Sequence, residues 1–216
     1  MRKRLPATFV TLAISACLIG CVGKAKFPTY YTLHLPPPAD MPPAAGTRPS
    51  VAVGEFRSGA YLRQGAIVYR ATPEQVGFYQ YHRWAVDPRE FLTNAIVDRL
   101  RASGRFAEVK IYDGHSDVDF ILSGRLEQLE EVDYEGGVRV EVALSAQMTD
   151  LHSGKVVWTN AASENEPVEK RTVAAVVAEM SQAMDRTIQK LLASLTFPSI
   201  TTLNQELTPH PARAGW

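Results

Sequence analysis

The chain has little cysteine, no excess charge and no long apolar run, and each lack closes a class of function. Its two cysteines are Cys17 and Cys21, too few for a disulfide framework or a Cys-ligated zinc site. Lys plus Arg number 23 against 23 Asp plus Glu, so the basic footprint expected of a nucleic-acid binder is missing. The apolar stretch Ala7 to Ile19 falls short of the about 20 consecutive apolar residues a membrane-spanning helix needs. The five histidines, His34, His82, His115, His152 and His210, form no metal-type pair at helical spacing, and no Gly-rich loop follows a strand to cradle phosphates. His152-Ser153-Gly154-Lys155 has the letters of a nucleophile beside a base, but it reads more economically as a hairpin turn. Gly114-His115-Ser116-Asp117 has the same standing. No cofactor, no metal and no enzymatic activity are expected.

What is present begins at the N-terminus. Arg2, Lys3 and Arg4 precede a short apolar run that closes on Leu18-Ile19-Gly20-Cys21. A basic start, an apolar middle and small residues at the end describe a secretory signal peptide, here residues 1–20. Leu-Ile-Gly-Cys resembles the bacterial lipobox, in which the cysteine is lipidated and becomes the first residue of the mature protein. Removing the signal takes away three cations and no acids, leaving 20 Lys plus Arg against 23 Asp plus Glu, a net charge of −3. Cys17 leaves with the signal, so Cys21 is the mature thiol and the anchor consumes it. Several acyl chains on one residue hold effectively permanently, because each buried CH₂ contributes about 0.8 kcal/mol. Val22 follows where an Asp would favour inner-membrane retention in enteric-type sorting. The expectation is a lipid-anchored protein on the periplasmic side of the envelope, at the outer membrane rather than the inner.

Residues 21–49 read as a tether, a short strand and a linker. The eight residues Val22 to Thr29 reach roughly 26 Å at about 3.3 Å per residue. Tyr31, Leu33 and Leu35 alternate with Thr32 and His34, and Pro36 to Pro49 holds six prolines, a semi-rigid connector. The domain proper is expected over 50–197. Strands are read around Val51–Phe56, Ile67–Tyr69 and Phe78–Trp84, where Phe78, Gln80, His82 and Trp84 should share one side and Tyr79, Tyr81 and Arg83 the other. Asp87 caps a helix that Pro88 and Glu90 open and Gly104 stops. Phe106 to Tyr112 returns to strand. Asp119–Asp133 and Val138–Asp150 form a long hairpin, the second arm placing Val138, Val140, Val142, Leu144, Ala146 and Met148 on one face. A third arm runs through Val157, Trp158 and Ala161. Val173, Val176, Val177, Met180, Met184, Ile188, Leu191, Leu192 and Leu195 make the stripe of a last helix, read as packing on this meander. Residues 198–216 carry little pattern and are expected to be a mobile tail. The fold class expected is α+β, a two-layer sandwich of mostly antiparallel sheet with two helices packed on one face.

Two clusters carry functional interest. The acids Glu127, Glu130, Glu131, Asp133 and Glu135 crowd the hairpin tip, either for a basic partner or cation or as a solvated turn. The stretch Tyr61 to Trp84 is dense in aromatics and arginines, the types enriched at protein interfaces, though aromatics also build cores. This stretch resembles the ABC-type transport auxiliary lipoproteins, which accompany MCE-type (mammalian-cell-entry) systems such as the paraquat-inducible one. The matching residues are Tyr30-Tyr31-Thr32-Leu33 before the prolines, Tyr61-Leu62 with Ile67-Val68 and Arg70, Tyr81-His82-Arg83-Trp84-Ala85 with Pro88, and Ser123-Gly124-Arg125-Leu126. Between Leu62 and Ile67 many relatives carry Asp-Arg-Pro-Gln, whereas this chain has Arg63-Gln64-Gly65-Ala66. The resemblance implies a non-enzymatic accessory that works with an ABC permease, an ATPase and an MCE-domain protein to move lipids or apolar solutes between membranes. Tyr61, Leu62, Ile67, Val68, Arg70, Tyr81, Arg83 and Trp84 are the partner-binding residues it singles out, and a homo-oligomer is compatible with it. The alternative is another envelope accessory lipoprotein, one that assists lipopolysaccharide assembly or activates a peptidoglycan synthase.

Overall fold

The computed structural model describes residues 26–115, 117–134 and 136–195. The expected signal peptide 1–20, the expected anchor residue Cys21 and the expected tail 198–216 lie outside the described residues, as do Ser116 and Glu135. Nine strands build one sheet. They are β1 (Thr29–Tyr31), β2 (Ser50–Val53), β3 (Arg57–Ser58), β4 (Ala66–Thr72), β5 (Gln75–Trp84), β6 (Glu108–Ile111), β7 (Phe120–Val132), β8 (Arg139–Asp150) and β9 (Val156–Pro167). A 3-10 turn spans Ala60–Arg63, and two α-helices, α1 (Pro88–Ala102) and α2 (Val173–Ala193), complete the fold.

Strand β7 is the spine. Along one edge it pairs antiparallel with β8, which pairs antiparallel with β9. This is the meander read from the alternation, and Val140, Val142, Leu144 and Met148 are buried together on its inner face. The other edge of β7 takes three short strands in succession, all parallel to it: β2 against Phe120–Leu122, β3 against Arg125–Leu126 and β4 against Glu130–Val132. β2 also pairs parallel with β6, and β1 parallel with β5. The sheet is therefore mixed and curled, which corrects the expectation of a mostly antiparallel two-layer sandwich; the α+β class and the two helices stand. The physical cause is the connection: β6 and β7 come to lie beside β2 only after the chain has passed through β3, β4, β5 and α1, and parallel neighbours need such long crossovers whereas antiparallel ones need only a turn. A bulge between Leu126 and Gln128 adds local twist. Gly124 lets Phe56 cross the sheet closely, since a Cβ there would stand 2.4 Å from the Phe56 ring.

Helix α1 starts as its sequence prescribes. The Asp87 carboxylate accepts the Arg89 amide at 2.9 Å and Pro88 occupies the first turn. Leu92, Ile96 and Leu100 fill the core. Helix α2 is capped by the Thr172 hydroxyl, which accepts from the Ala175 amide at 3.3 Å. Its stripe of Val176, Met180, Met184, Ile188 and Leu191 is buried, and it lies on β8 and β9 as the pattern predicts. Arg99 of α1 and Asp185 of α2 form an ion pair that ties the helices together.

The proline segment does more than connect. Only Thr29–Tyr31 of the first alternating stretch pairs as a strand, but the alternation persists beyond it: Leu33 is buried while Thr32 and His34 are exposed. The His34 amide donates to Ser181 Oγ at 3.1 Å. Further on, the Met41 amide donates to the Ala102 carbonyl at 2.7 Å and the Ala44 amide to the Gly104 carbonyl at 3.0 Å. The segment thus satisfies carbonyls that the end of α1 leaves without intrahelical partners.

Candidate partner and membrane surface

The structure divides the eight predicted partner residues between core and surface. Leu62, Ile67, Val68 and Trp84 are 4%, 0%, 1% and 8% exposed and belong to the core cluster. Tyr61 is half-buried and donates its hydroxyl to the Glu127 carbonyl at 3.0 Å. Arg70 donates Nε to Glu130 Oε1 at 2.7 Å and a terminal nitrogen to the Pro73 carbonyl at 2.9 Å. Tyr81 is half-buried, and Arg83 is exposed. The expected alternation along β5 is interrupted. Val68 faces Phe78 while Ala66 faces Arg83, so five residues of β5 pass where β4 advances two. Such a bulge resets which side chains share a face.

Of the acids read at the hairpin tip, Glu130 and Glu131 are buried, Asp133 is exposed and Glu135 lies outside the described residues. Glu130 is 0% exposed, with the Arg70 guanidinium on one oxygen and no partner for Oε2. Glu141 lies directly across from it on β8; Gln128 bridges the two glutamates at 3.4 Å to each, and Arg139 is 3.4 Å from Glu141. Tyr61 stands beside this array, and burial together with the Glu130 charge raises its phenol above its ordinary range. The hydrogen bond to Glu130 holds Arg70 still more firmly protonated. Glu131 faces the opposite side of β7, where the Tyr79 hydroxyl donates to it at 2.8 Å. Burial pushes the Glu131 carboxyl up, against the lowering effect of that hydrogen bond. Asp133 lies 3.8 Å from Arg171. Among the described residues no group of three His, Cys, Asp or Glu side chains is arranged to hold a metal ion.

His152-Ser153-Gly154-Lys155 is a turn. The Ser153 hydroxyl donates to Asp150 at 3.0 Å, and the His152 ring contacts Asp119 at 3.1 Å rather than the serine. A serine bonded to a carboxylate, with its histidine turned elsewhere, lacks the nucleophile–base contact that acyl transfer requires.

The most exposed large apolar side chains beside the Tyr61–Trp84 stretch lie in and just before β1. Phe27 is 80% and Tyr30 60% exposed. Tyr30 pairs with Arg83 across β1 and β5, and Lys26 Nζ stands 4.5 Å from the centre of the Tyr81 ring. Tyr30 entered the sequence reading through the family resemblance alone, and Phe27 and Lys26 not at all; exposure is a property of the folded sheet edge, not of a short sequence window. A cleft of about 400 Å³ opens where Pro36–Met41 pass over the ends of α1 and α2, with Leu100, Leu192 and Leu195 in its wall. No helix of the described residues is long and apolar enough to cross a membrane.

A curled mixed sheet with two helices and a proline strap laid over the end of the first defines an α+β domain. The family model of the ABC-type transport auxiliary lipoprotein component matches residues 31–191, and the chain belongs to that family. Its members are auxiliary components of transport systems. Two solved structures share the fold. A protein from Xanthomonas campestris is 19% identical with a TM-score of 0.67, over 82% of this chain and 98% of its own. An uncharacterized protein is 15% identical with a TM-score of 0.61, over 79% of this chain and 99% of its own. No curated protein matches the sequence.

Proposed function

We propose that the chain is a periplasmic, lipid-anchored and non-enzymatic accessory subunit of an MCE-type ABC transport system. In this reading it helps a permease, an ATPase and an MCE-domain protein move lipids or apolar solutes between the inner and outer membranes. The observation that carries the proposal is the family match beginning at residue 31, ten residues after the lipobox cysteine Cys21. Val22 favours the outer membrane as the site of the anchor. The docking surface is what the Tyr61–Trp84 stretch leaves outside the core, chiefly Arg83 with Tyr81 and the outer edge of Tyr61.

The test is capture of the tagged, lipidated protein from membranes. Recovery of an ABC permease, ATPase and MCE-domain subunit is expected. An outer-membrane barrel or a cell-wall synthase recovered in their place would move the assignment to the alternative accessory role. Arg83→Glu is expected to reduce capture at least tenfold without shifting the thermal midpoint, because its side chain is exposed. Normal capture by this variant would exclude the surface. Arg70 is not a clean probe of docking, since its loss strands the buried Glu130.

A further inference from the structure

We propose that the sheet edge at β1 rests on the bilayer that holds the anchor, with the Phe27 and Tyr30 rings in the interfacial layer and Lys26 at the headgroups. This rests on lipidation at Cys21, the anchor assigned above.

Six residue steps separate Cys21 from Phe27, so at about 3.3 Å per residue they part by at most roughly 20 Å. A lipidated Cys21 therefore confines Phe27 and Tyr30 to the neighbourhood of the membrane in every orientation of the domain. Those two side chains are 80% and 60% exposed, although the protein buries Tyr31 and Leu33 of the same segment in part or in full. Alternation along β1 turns Tyr30 outward where Tyr31 goes inward, and Phe27, which precedes the strand, stays outside with it. Aromatic rings with a polar edge or a cationic neighbour are suited to the boundary between headgroups and acyl chains.

Charge points the same way. From Val22 to Ala39 the chain has no Asp or Glu, and it carries Lys24 and Lys26, in a mature protein whose net charge is −3. In the folded sheet Arg83 is the register partner of Tyr30, and Lys26 lies over Tyr81. Positive charge is thus gathered beside the exposed rings on a molecule that is elsewhere net negative. An anionic phospholipid surface attracts such a juxtamembrane segment. The Arg83 docking face borders the patch, so the orientation holds that face at the level of the membrane.

The test uses the lipidated mature protein in vesicles of phosphatidylethanolamine and phosphatidylglycerol. Because the anchor consumes Cys21, a fluorophore on Tyr30→Cys is unique in the chain, and so is one on Leu151→Cys in the β8–β9 turn. With a nitroxide placed high on the lipid acyl chains, quenching at position 30 is expected to exceed that at position 151 several-fold. It is also expected to fall several-fold when Phe27→Ser and Lys26→Glu remove the ring and the charge while keeping the anchor; undiminished quenching in that variant overturns the proposal. Equal quenching at the two sites overturns the proposal. It is also overturned if shielding of the position 30 label from an aqueous quencher requires the transport partners rather than lipid, because the patch is then a protein interface. Two labels per chain would reveal a free thiol at Cys21 and remove the anchor itself, a failure separate from that of the patch.

Discussion

Arg70 and Glu130 show how one residue pair can carry a local fold. Glu130 lies on β7 with no exposure, and the Arg70 Nε on its Oε1 at 2.7 Å is the compensation for placing that charge inside. Removing one partner of a buried pair leaves an uncompensated charge and costs about 3–5 kcal/mol. Arg70→Ala should therefore lower the unfolding free energy by that amount in urea denaturation. The double variant Arg70→Met with Glu130→Leu should recover most of the loss, since an apolar pair of similar volume carries no desolvation penalty. A small effect of Arg70→Ala would show that Glu130 is solvated in solution.

At the level of elements, the junctions outside the hydrophobic stripes make the sharpest predictions. Gly104 closes α1 with φ +63°, and a Cβ there would stand 2.6 Å from the Pro42 carbonyl oxygen. Gly104→Ala is expected to destabilise the protein by about 1–3 kcal/mol through positive φ and crowding. It should also release the strap, read as faster exchange of the Met41 and Ala44 amides. Between β9 and α2, Glu164 is 8% exposed and pairs with Lys190 and, at 3.5 Å, Arg186. Those contacts, the Lys190 hydrogen bond first, hold its carboxyl below its ordinary value of 4.5. Hydrogen bonds from Ser50 do the same for Asp119. For Asp150, the turn amides and the Ser153 hydroxyl overcome the raising effect of burial. A carboxyl with a depressed folded pKa contributes stability that is complete above its unfolded pKa and is lost as pH falls through the folded one. Stability should thus decline as the medium is acidified below about 4.5. Glu131, raised by burial, runs the other way and offsets part of the decline. Glu164→Gln should flatten the acid limb of a pH series of urea midpoints. An unchanged slope would mean that the β9–α2 ion pairs are solvated.

At the scale of the whole molecule, legibility followed the range of the interactions. The helix over 88–102 was readable because its cap, its first-turn proline and its stop lie within the element itself. The β7–β9 meander was readable because hairpin partners are neighbours in sequence and the alternation of Val140, Val142 and Leu144 marks the buried face. The parallel half of the sheet was not. β2, β3 and β4 meet β7 across separations of about sixty residues or more, and nothing in a local window announces the direction of a distant neighbour.

The candidate surface divided along the same line. Tyr61, Ile67, Val68, Arg70 and Trp84 form one aromatic and arginine-rich stretch in sequence, yet the fold sends Ile67, Val68 and Trp84 inward and commits Arg70 to Glu130. What the sequence determined by itself is what is written in contiguous residues: the helix boundaries, the meander and, through ordered motifs, the family. Only the tertiary structure decided which aromatics are core, that Glu130 and Glu131 are buried, and that Phe27, Tyr30 and Arg83 remain outside. The reason is that burial depends on which distant strand covers a side chain, and pairing over tens of residues is settled by the collective packing of the sheet and helices.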